Sequence, residues 1–315
     1  MARNVKIRRF RVADASGAAA LLHILLPYEP MTAARLLQYQ GCAPSRISER
    51  WWVAMQDGRM VGWASAGLHM WTGPIQVGSL FLGVHPDARR QGLGARLYET
   101  AVSHLLTLTP HRLETSVYGP ARETRRFLRV RGFRRHQRAQ VWALDPASAV
   151  LSELPKRERQ AARHGFRLVP LREFTDRPEA MHTLYADTLR DAPAESAFVD
   201  VRFQEFSCYR FQDPMLDLDG SFVILAGDLP VSYAWLTVEH DRHLGFNAMT
   251  GTLPAFRHRG LAKLAKLATI RWAHDNDVKV VYTSNDERNA DMLALNRALG
   301  YVPSGVFDVL SRRIR

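Results

Sequence analysis

One twelve-residue stretch occurs twice in this chain, and the repeat restricts the folds that the sequence can adopt. Residues 84–95 read VHPDARRQGLGA, and residues 252–263 read TLPAFRHRGLAK. A Pro, an Arg, a Gly and a Leu recur at one constant offset, which pairs Pro86 with Pro254 and Gly92 with Gly260. An apolar run precedes each copy and a helical pattern of apolar residues follows it. Each copy therefore predicts a strand, a glycine-containing turn and a helix, in that order.

The repeat extends beyond the turns. Thr115-Ser116 matches Thr283-Ser284, and Gly132-Phe133 matches Gly300-Tyr301, both at the same offset as the turns. A period of more than half the chain indicates a duplicated domain rather than a solenoid. A chain of 315 residues is also long enough for two ordinary domains. We predict two tandem α/β units, residues 1–145 and 146–315, and interpret residues 146–165 as a partly helical linker.

The two turns, which we call the first loop and the second loop, have the features of a phosphate-binding site. Backbone N–H groups at the start of a helix have no partner within the helix, and the helix dipole favours an anion there. Glycine lets a bulky anion approach the backbone closely. The predicted binding residues are Arg89, Arg90, Gln91, Gly92, Leu93, Gly94 and Ala95 in the first loop, and Arg257, His258, Arg259, Gly260, Leu261, Ala262 and Lys263 in the second.

Two other phosphate-binding folds fit less well. Neither loop contains the Gly-Lys-Ser/Thr of a P-loop NTPase. Gly92 and Gly94 are not followed by the third glycine of a dinucleotide fingerprint, and no parallel βαβ pattern follows them.

The net charge of +12 lies entirely in the first half of the chain. Residues 1–145 hold 21 Lys and Arg against 9 Asp and Glu, whereas residues 146–315 hold 22 of each. Such a surface suits nucleic acid, an acidic partner or a phosphorylated ligand. No nucleic-acid-binding motif accompanies it, so we favour a solvated face over nucleic-acid binding. The densest basic cluster is Arg122, Arg125, Arg126, Arg129, Arg131, Arg134, Arg135 and Arg138.

The remaining composition predicts a cytoplasmic protein that needs no metal. No apolar run approaches the roughly 20 residues that span a bilayer. Cys42 and Cys208 form no metal-binding pattern, and we expect them to be free thiols in a reducing compartment.

The repeated order of elements resembles the GNAT acyltransferase superfamily. Arg89-Arg90-Gln91-Gly92-Leu93-Gly94 and Arg257-His258-Arg259-Gly260-Leu261-Ala262 both fit its acyl-CoA pyrophosphate loop. The resemblance implies a mixed, mostly antiparallel sheet in each unit, whose fourth and fifth strands separate to admit the pantetheine arm. It implies that backbone groups of Leu82, Gly83 and Val84, and of Thr250, Gly251 and Thr252, line that arm. A backbone N–H there would polarise the acyl carbonyl.

The motif that follows the loop is incomplete in both units. The Tyr that usually protonates the thiolate is replaced by Leu128 and Asn296. The Asn that contacts pantetheine is Asn289 in the second unit but Ala121 in the first. The positions that often carry a base hold Gly78 and Phe246, which leaves Glu239, and more weakly Glu114, as base candidates. The alternative interpretation of Glu239 is a solvated carboxylate at a turn, and that of Glu114 is a strand residue that faces solvent or pairs with a nearby Arg.

The resemblance therefore implies an N-acetyltransferase that uses acetyl-CoA, no metal, and an amine of a small molecule or peptide as acceptor. We expect the second unit to be the active one and the first loop to bind cofactor weakly or structurally. The alternatives are an acyl-CoA-binding module without catalysis and an acetyltransferase acting on a substrate associated with nucleic acid. The sequence does not identify the acceptor or the oligomeric state.

Overall fold

A computed structural model describes residues 5–70, 76–190 and 201–314 of the chain.

Tight hairpins and apolar strands build the first unit. Asp57 and Gly58 join strands β2 and β3 with positive φ at both residues, 50° and 78°, as a type I′ turn requires. The elements are β1 (Val5–Arg9), α1 (Ala15–Leu25), α2 (Ala33–Cys42), β2 (Arg50–Gln56), β3 (Arg59–Leu68), β4 (Val77–Val84), α3 (Leu93–Leu106), β5 (Arg112–Tyr118) and α4 (Arg122–Arg129).

The second unit repeats this order behind an additional helix. Its sheet begins with the end of β6 (Arg134–Leu144). The later elements are α5 (Leu154–Arg163), β7 (Phe166–Pro170), α6 (Pro178–Leu189), α7 (Phe203–Phe206) with a π-helical turn over Ser207–Phe211, β8 (Phe222–Ala226), β9 (Leu229–Glu239), β10 (Leu244–Thr252), α8 (Leu261–Asp275), β11 (Val280–Asp286), α9 (Ala290–Ala298) and β12 (Val302–Arg313).

Each unit contains a mixed, mostly antiparallel sheet, which confirms the predicted fold class. In the first unit the strand order is β1-β2-β3-β4-β5-β12, and the β4–β5 pair is parallel. In the second unit the order is β6-β11-β10-β9-β8-β7, and the β10–β11 pair is parallel. In both units, therefore, the loop connects the fourth strand to the helix that leads into the parallel fifth strand, so the expectation that no parallel βαβ order follows the loop is wrong.

The two units are not the continuous halves 1–145 and 146–315. The chain divides into residues 1–138 with 306–315, and residues 139–305. Phe307–Arg313 of β12 pair with β5 of the first unit. Residues 139–144 of β6 pair with β11 of the second unit. Each sheet thus takes its last strand from the other half of the sequence, a long-range pairing that no local pattern reveals.

The helix that follows each loop packs through an apolar face into the core of its unit. In α3, Leu93, Leu97, Ala101 and Leu105 are at most 3% exposed and pack on the sheet of the first unit. In α8, the buried residues include Leu261, Leu264, Ala265, Leu267 and Ala268.

The predicted linker is largely a helix of the second unit. Helix α5 packs against α8 and β7, and it contributes Leu154 and Ala161 to the core of that unit. Residues 146–165 therefore belong to the folded unit, and their helix has no counterpart in the first.

The expectation of free thiols is wrong, because Cys42 and Cys208 are both disulfide-bonded. Spacing along the chain does not reveal whether a cysteine is oxidised. Disulfides are characteristic of oxidising compartments, so this finding does not support the predicted cytoplasmic location. Among residues 5–70, 76–190 and 201–314, no helix is both long enough and apolar enough to cross a bilayer. Over the same ranges, no cluster of His, Cys, Asp and Glu is arranged to hold a metal ion.

Candidate functional site

The backbone of the two loops is nearly identical. Arg90 and Gly92 have φ of 63° and 76°, and the matching residues His258 and Gly260 have φ of 60° and 76°. Left-handed residues at these positions turn successive N–H groups towards one side of the loop, which forms a concave anion site. Within the described ranges, the N–H groups of residues 90–94 and 258–263 donate no backbone hydrogen bond. Both loops therefore present free donors at a helix N-terminus.

Side chains brace both loops in the same way. Nε of Arg89 donates to the carbonyl oxygen of Val84 at 3.0 Å, and Nε of Arg257 donates to that of Thr252 at 3.1 Å. These contacts hold the loop against the end of its strand. Arg89 and Arg257 thus have a structural role in addition to the predicted one in binding.

The two loops differ in their surroundings. A Cβ atom on Gly92 would have no neighbour within 4 Å, whereas one on Gly260 would lie 3.6 Å from Nη1 of Arg157. Arg157 lies on α5, the helix that the first unit lacks. Oε2 of Glu153 accepts hydrogen bonds from Nζ of Lys263 at 2.9 Å and from Nε of Arg157 at 2.8 Å. In the first loop Arg90 and Glu123 form an exposed ion pair at 3.5 Å, whereas in the second unit two cations share one carboxylate beside the loop.

The fourth and fifth strands separate in the first unit. The β4–β5 pairing runs from Val77–Arg112 to Leu80–Thr115 and stops there, although β4 continues to Val84. Leu82 and Val84 lie in this separated part, where they still pair with β3 on the other side. Their backbone groups facing the gap are not paired with β5, although the carbonyl oxygen of Val84 accepts the hydrogen bond from Arg89.

The separation is sharper in the second unit. The β10–β11 pairing ends at Phe246–Tyr282, and a register shift at Ala248 forms a bulge in β10. A bulge leaves a residue unpaired and bends its strand. The hydroxyl of Thr283 donates to the carbonyl oxygen of Asn247 at 3.1 Å, just beyond the last pair. Over Val77–Val84, by contrast, β4 pairs with β3 in regular register, without a bulge.

The side chains of Thr250 and Thr252 are occupied within the unit. Oγ1 of Thr250 donates to Oδ1 of Asn247 at 3.3 Å, and Oγ1 of Thr252 lies 2.7 Å from Oγ of Ser232. Any contact of these two threonines with a pantetheine arm would consequently use the backbone, as the sequence predicts.

Asn289 is the N-cap residue of α9. Its Oδ1 accepts a hydrogen bond from the N–H of Met292 at 3.2 Å. Ala121 has nearly the same backbone conformation at the start of α4 but supplies no cap. The capping bond uses only the oxygen of Asn289, so its Nδ2 donor is left for a second partner.

Asn296 is fully buried, which excludes a surface amide. Its Oδ1 accepts a hydrogen bond from Nζ of Lys266 at 2.7 Å, and its Nδ2 donates to Oδ1 of Asn285 at 2.7 Å. Lys266 is 1% exposed, and burial lowers its pKa to about 7. The buried position of Lys266 was not predicted from the sequence. Its signal is helical spacing, because position 266 shares a face with Thr269, Ile270 and Ala273, all of which are buried.

The two glutamates proposed as bases lie in ion pairs. Glu239 is 5% exposed, pairs with Arg242 at 3.1 Å, and lies opposite Leu244 at the end of β10 farthest from the second loop. Glu114 pairs with Arg112 at 2.8 Å and lies 3.5 Å from His136. Neither carboxylate is a surface group, and their catalytic roles stay predictions.

Part of the arginine cluster is internally neutralised. Asp308 is 2% exposed and accepts hydrogen bonds from Nε of Arg138 at 2.7 Å and Nε of Arg125 at 2.8 Å. Burial by itself would raise the pKa of Asp308, but these hydrogen bonds hold that pKa below its ordinary value. Arg125 and Arg138 are therefore structural rather than part of a solvated face.

Two units of this kind, each with separated strands and a loop of free N–H groups, define a tandem acyltransferase fold. Residues 19–133 match the model of the acetyltransferase (GNAT) family. Over 279 residues the chain is 26% identical to a mycothiol acetyltransferase of Nocardioides sp., an alignment that covers 83% of this chain and 88% of the relative.

Solved structures agree on the fold. A tandem GNAT protein from the clavulanic acid biosynthesis pathway has a TM-score of 0.70 at 20% identity and covers 98% of each chain. A GCN5-related N-acetyltransferase from Sphaerobacter thermophilus has a TM-score of 0.69 at 16% identity and covers 99% of this chain and 96% of its own. Residues 19–133 thus form a domain that matches the GNAT family model, and the chain as a whole has the fold of tandem GNAT proteins.

Proposed function

We propose that the chain transfers an acetyl group from acetyl-CoA to a primary amine of a small molecule or peptide. The proposal rests on two features that each unit combines. One is a cradle, meaning the free N–H groups of residues 90–94 or 258–263, and the other is the neighbouring pair of separated strands. A pyrophosphate fits the cradle because the backbone conformation turns several unpartnered donors to one side and Gly92 and Gly260 carry no side chain.

We assign the reaction to the second unit. It has the bulge at Ala248, the early end of the β10–β11 pairing and the cap residue Asn289, and the first unit has neither the bulge nor the Asn. Acetyl-CoA supplies an activated thioester. Backbone N–H groups of β10 beside the gap would polarise its carbonyl, and the second loop would hold its phosphates. Glu239 is the proposed base for the amine.

Binding without turnover is the second candidate, because Leu128 and Asn296 stand where the superfamily has its usual acid. Two measurements separate the candidates. Thermal unfolding with acetyl-CoA, propionyl-CoA or free CoA tests binding, since a ligand at 100 times its Kd adds about 2.7 kcal/mol to stability. Thiol release with a panel of amines tests turnover. The panel includes an acceptor related to mycothiol, for which the Nocardioides relative is named.

A stability gain with steady thiol release supports the acetyltransferase. A gain without thiol release on any amine supports the binding module. No gain with any of the three ligands overturns both candidates.

A further inference from the structure

A buried lysine and two asparagines form one hydrogen-bonded array in the second unit. Nζ of Lys266 donates to Asn296, which donates to Asn285, and both bonds are 2.7 Å long. Asn285 lies on β11, three residues beyond the last pair with β10. The array therefore connects the core of the unit to the gap between the separated strands.

Lys266 has no counterion in the part of the chain that the structure describes. No carboxylate of the described residues pairs with Lys266. The titratable side chain that faces it is Tyr301, whose ring centroid lies 4.9 Å from Nζ and whose own pKa is raised by burial. Burial also lowers the pKa of Lys266 to about 7. A desolvated ammonium without a partner charge is costly, and it is expected to stabilise an anion that forms nearby.

The orientation of the two amides leaves an N–H donor at the end of the array that lies beside the gap. Oδ1 of Asn296 accepts the hydrogen bond from Lys266, so the NH2 group of Asn296 points to Asn285. Asn285 accepts on its own oxygen, and its Nδ2 has no hydrogen-bond partner among the described residues. Nδ2 of Asn285 is thus a free donor at the edge of the gap, strengthened by the charge behind it.

The first unit has no such array. At the offset that relates the two loops, Lys266, Asn296 and Asn285 correspond to Tyr98, Leu128 and Val117. Leu128 and Val117 are buried in the apolar core, and the hydroxyl of Tyr98 has no partner among the described residues. The same positions are apolar in one unit and polar in the other, so packing alone does not require the array.

On the basis of the function proposed above, we propose that Lys266, acting through Asn296, positions and polarises the Asn285 amide to receive the thiolate sulfur released in the second unit. In the transfer, the amine nitrogen bonds to the acyl carbon and the carbon–sulfur bond breaks with its electron pair on sulfur. The proton lost by the amine is taken by Glu239, the proposed base, and passes from there to sulfur or to solvent. Lys266 is a positioning residue, and no bond to it forms or breaks.

The test uses the full chain with Gly92→Val, which removes the first loop from the binding signal. Calorimetry compares free CoA with desulfo-CoA at several pH values, because only the former can offer a thiolate. We expect the parent to bind CoA about tenfold more tightly than desulfo-CoA, which is the effect of one charge-assisted hydrogen bond. Lys266→Met should bind the two ligands with equal affinity. Asn285→Ala is the second variant and retains Lys266, in case the core substitution does not fold. Tyr98→Phe, the matched change in the other unit, should leave the preference intact.

Steady-state kinetics give a second test, independent of the binding measurement. In Lys266→Met we expect kcat to fall about tenfold with KM for acetyl-CoA unchanged, since the amide donor acts late in the reaction. The decline of kcat above about pH 7, as Lys266 loses its proton, should disappear as well. Equal CoA preference and an equal pH profile in the parent and in both variants would overturn the inference and leave the proposed function standing. If the parent binds CoA but shows no turnover, the proposed acetyltransferase function is overturned. The preference for CoA over desulfo-CoA would then still decide the role of Lys266. No binding of CoA would overturn both.

Discussion

Glu153 holds the ammonium of Lys263 at 2.9 Å, at the start of the helix that follows the second loop. The same carboxylate oxygen accepts from Arg157 at 2.8 Å. Hydrogen bonds from Lys263 and Arg157 keep the pKa of Glu153 below its ordinary value, so the group is an anion at neutral pH. A phosphate placed on the second loop would need the same two cations, which means that Glu153 competes with it.

We therefore predict that Glu153→Gln raises the affinity of the second unit for CoA. The expected gain is about two- to fivefold, the size of an interaction between partly exposed charges, and it should shrink in high salt. Calorimetry at two salt concentrations measures it. Glu158→Gln removes the same charge from an exposed site on α5, the helix that Glu153 precedes, and should leave the affinity for CoA unchanged. Weaker binding in Glu153→Gln would show instead that the carboxylate supports the loop.

Substitution of the loop glycines should separate the two sites. Gly92 and Gly260 both have φ of 76°, and valine in this left-handed region costs about 1–2 kcal/mol and narrows the cradle. We predict that Gly260→Val abolishes turnover, whereas Gly92→Val retains it and loses one of two bound CoA molecules. Native mass spectrometry gives the count and thiol release gives the rate.

Turn glycines provide the matched controls. Gly58 and Gly227 also have positive φ, 78° and 60°, and a Cβ on either would have no neighbour within 4 Å. Valine at these hairpin positions should cost similar stability while leaving CoA binding unchanged. If the controls lose CoA as well, the loop variants report only lower stability.

Asn289 offers a way to distinguish capping from cofactor contact. Asn289→Ala should lose about 1 kcal/mol, the usual value of an N-cap. Asn289→Asp keeps an oxygen acceptor for Met292 but loses the amide donor, so stability should hold while KM for acetyl-CoA rises. Urea unfolding and steady-state kinetics measure the two effects. An unchanged KM in Asn289→Asp would make the residue a cap alone.

Ala121→Asn is the complementary control. Ala121 has φ of −72° and ψ of 69°, close to the −83° and 70° of Asn289. Asparagine at this site should add a cap to α4 and stabilise the first unit by up to about 1 kcal/mol. A destabilised variant would show that the matching backbone angles do not define a capping site.

Local patterns predicted the local structure well. The constant offset between the repeats identified two loops whose φ values nearly coincide, because the same glycine and the same arginine impose the same backbone. Lys266 was missed because a lysine is expected on a solvent face, and only its position on the apolar side of α8 marks it as buried. Arg157 contacts the second loop from a helix that the repeat does not contain.

The ion pairs of Asp308 predict a dependence on pH. Its pKa lies below the unfolded value of about 3.9, so its contribution to stability is complete at neutral pH and is lost as the pH falls through the folded value. Asp308→Asn should cost about 3 kcal/mol at pH 7, and the difference from the parent should shrink below pH 4. Urea unfolding at several pH values measures it. Glu123→Gln, at a 73% exposed side chain on α4, should cost little at either pH.

The exchange of terminal strands makes a prediction about fragments. Residues 139–305 contain every strand of the second sheet, whereas residues 146–315 lack the strand that pairs with β11. The fragment 146–315 also loses Trp142 and Leu144, which are 1% and 2% exposed. Removing two such side chains costs several kcal/mol, a large share of the roughly 5–15 kcal/mol that stabilises a typical domain. We expect the fragment 139–305 to unfold cooperatively in urea and 146–315 to show no such transition. Equal stability of the two fragments would show that residues 139–144 are dispensable and would favour the boundary at residue 146.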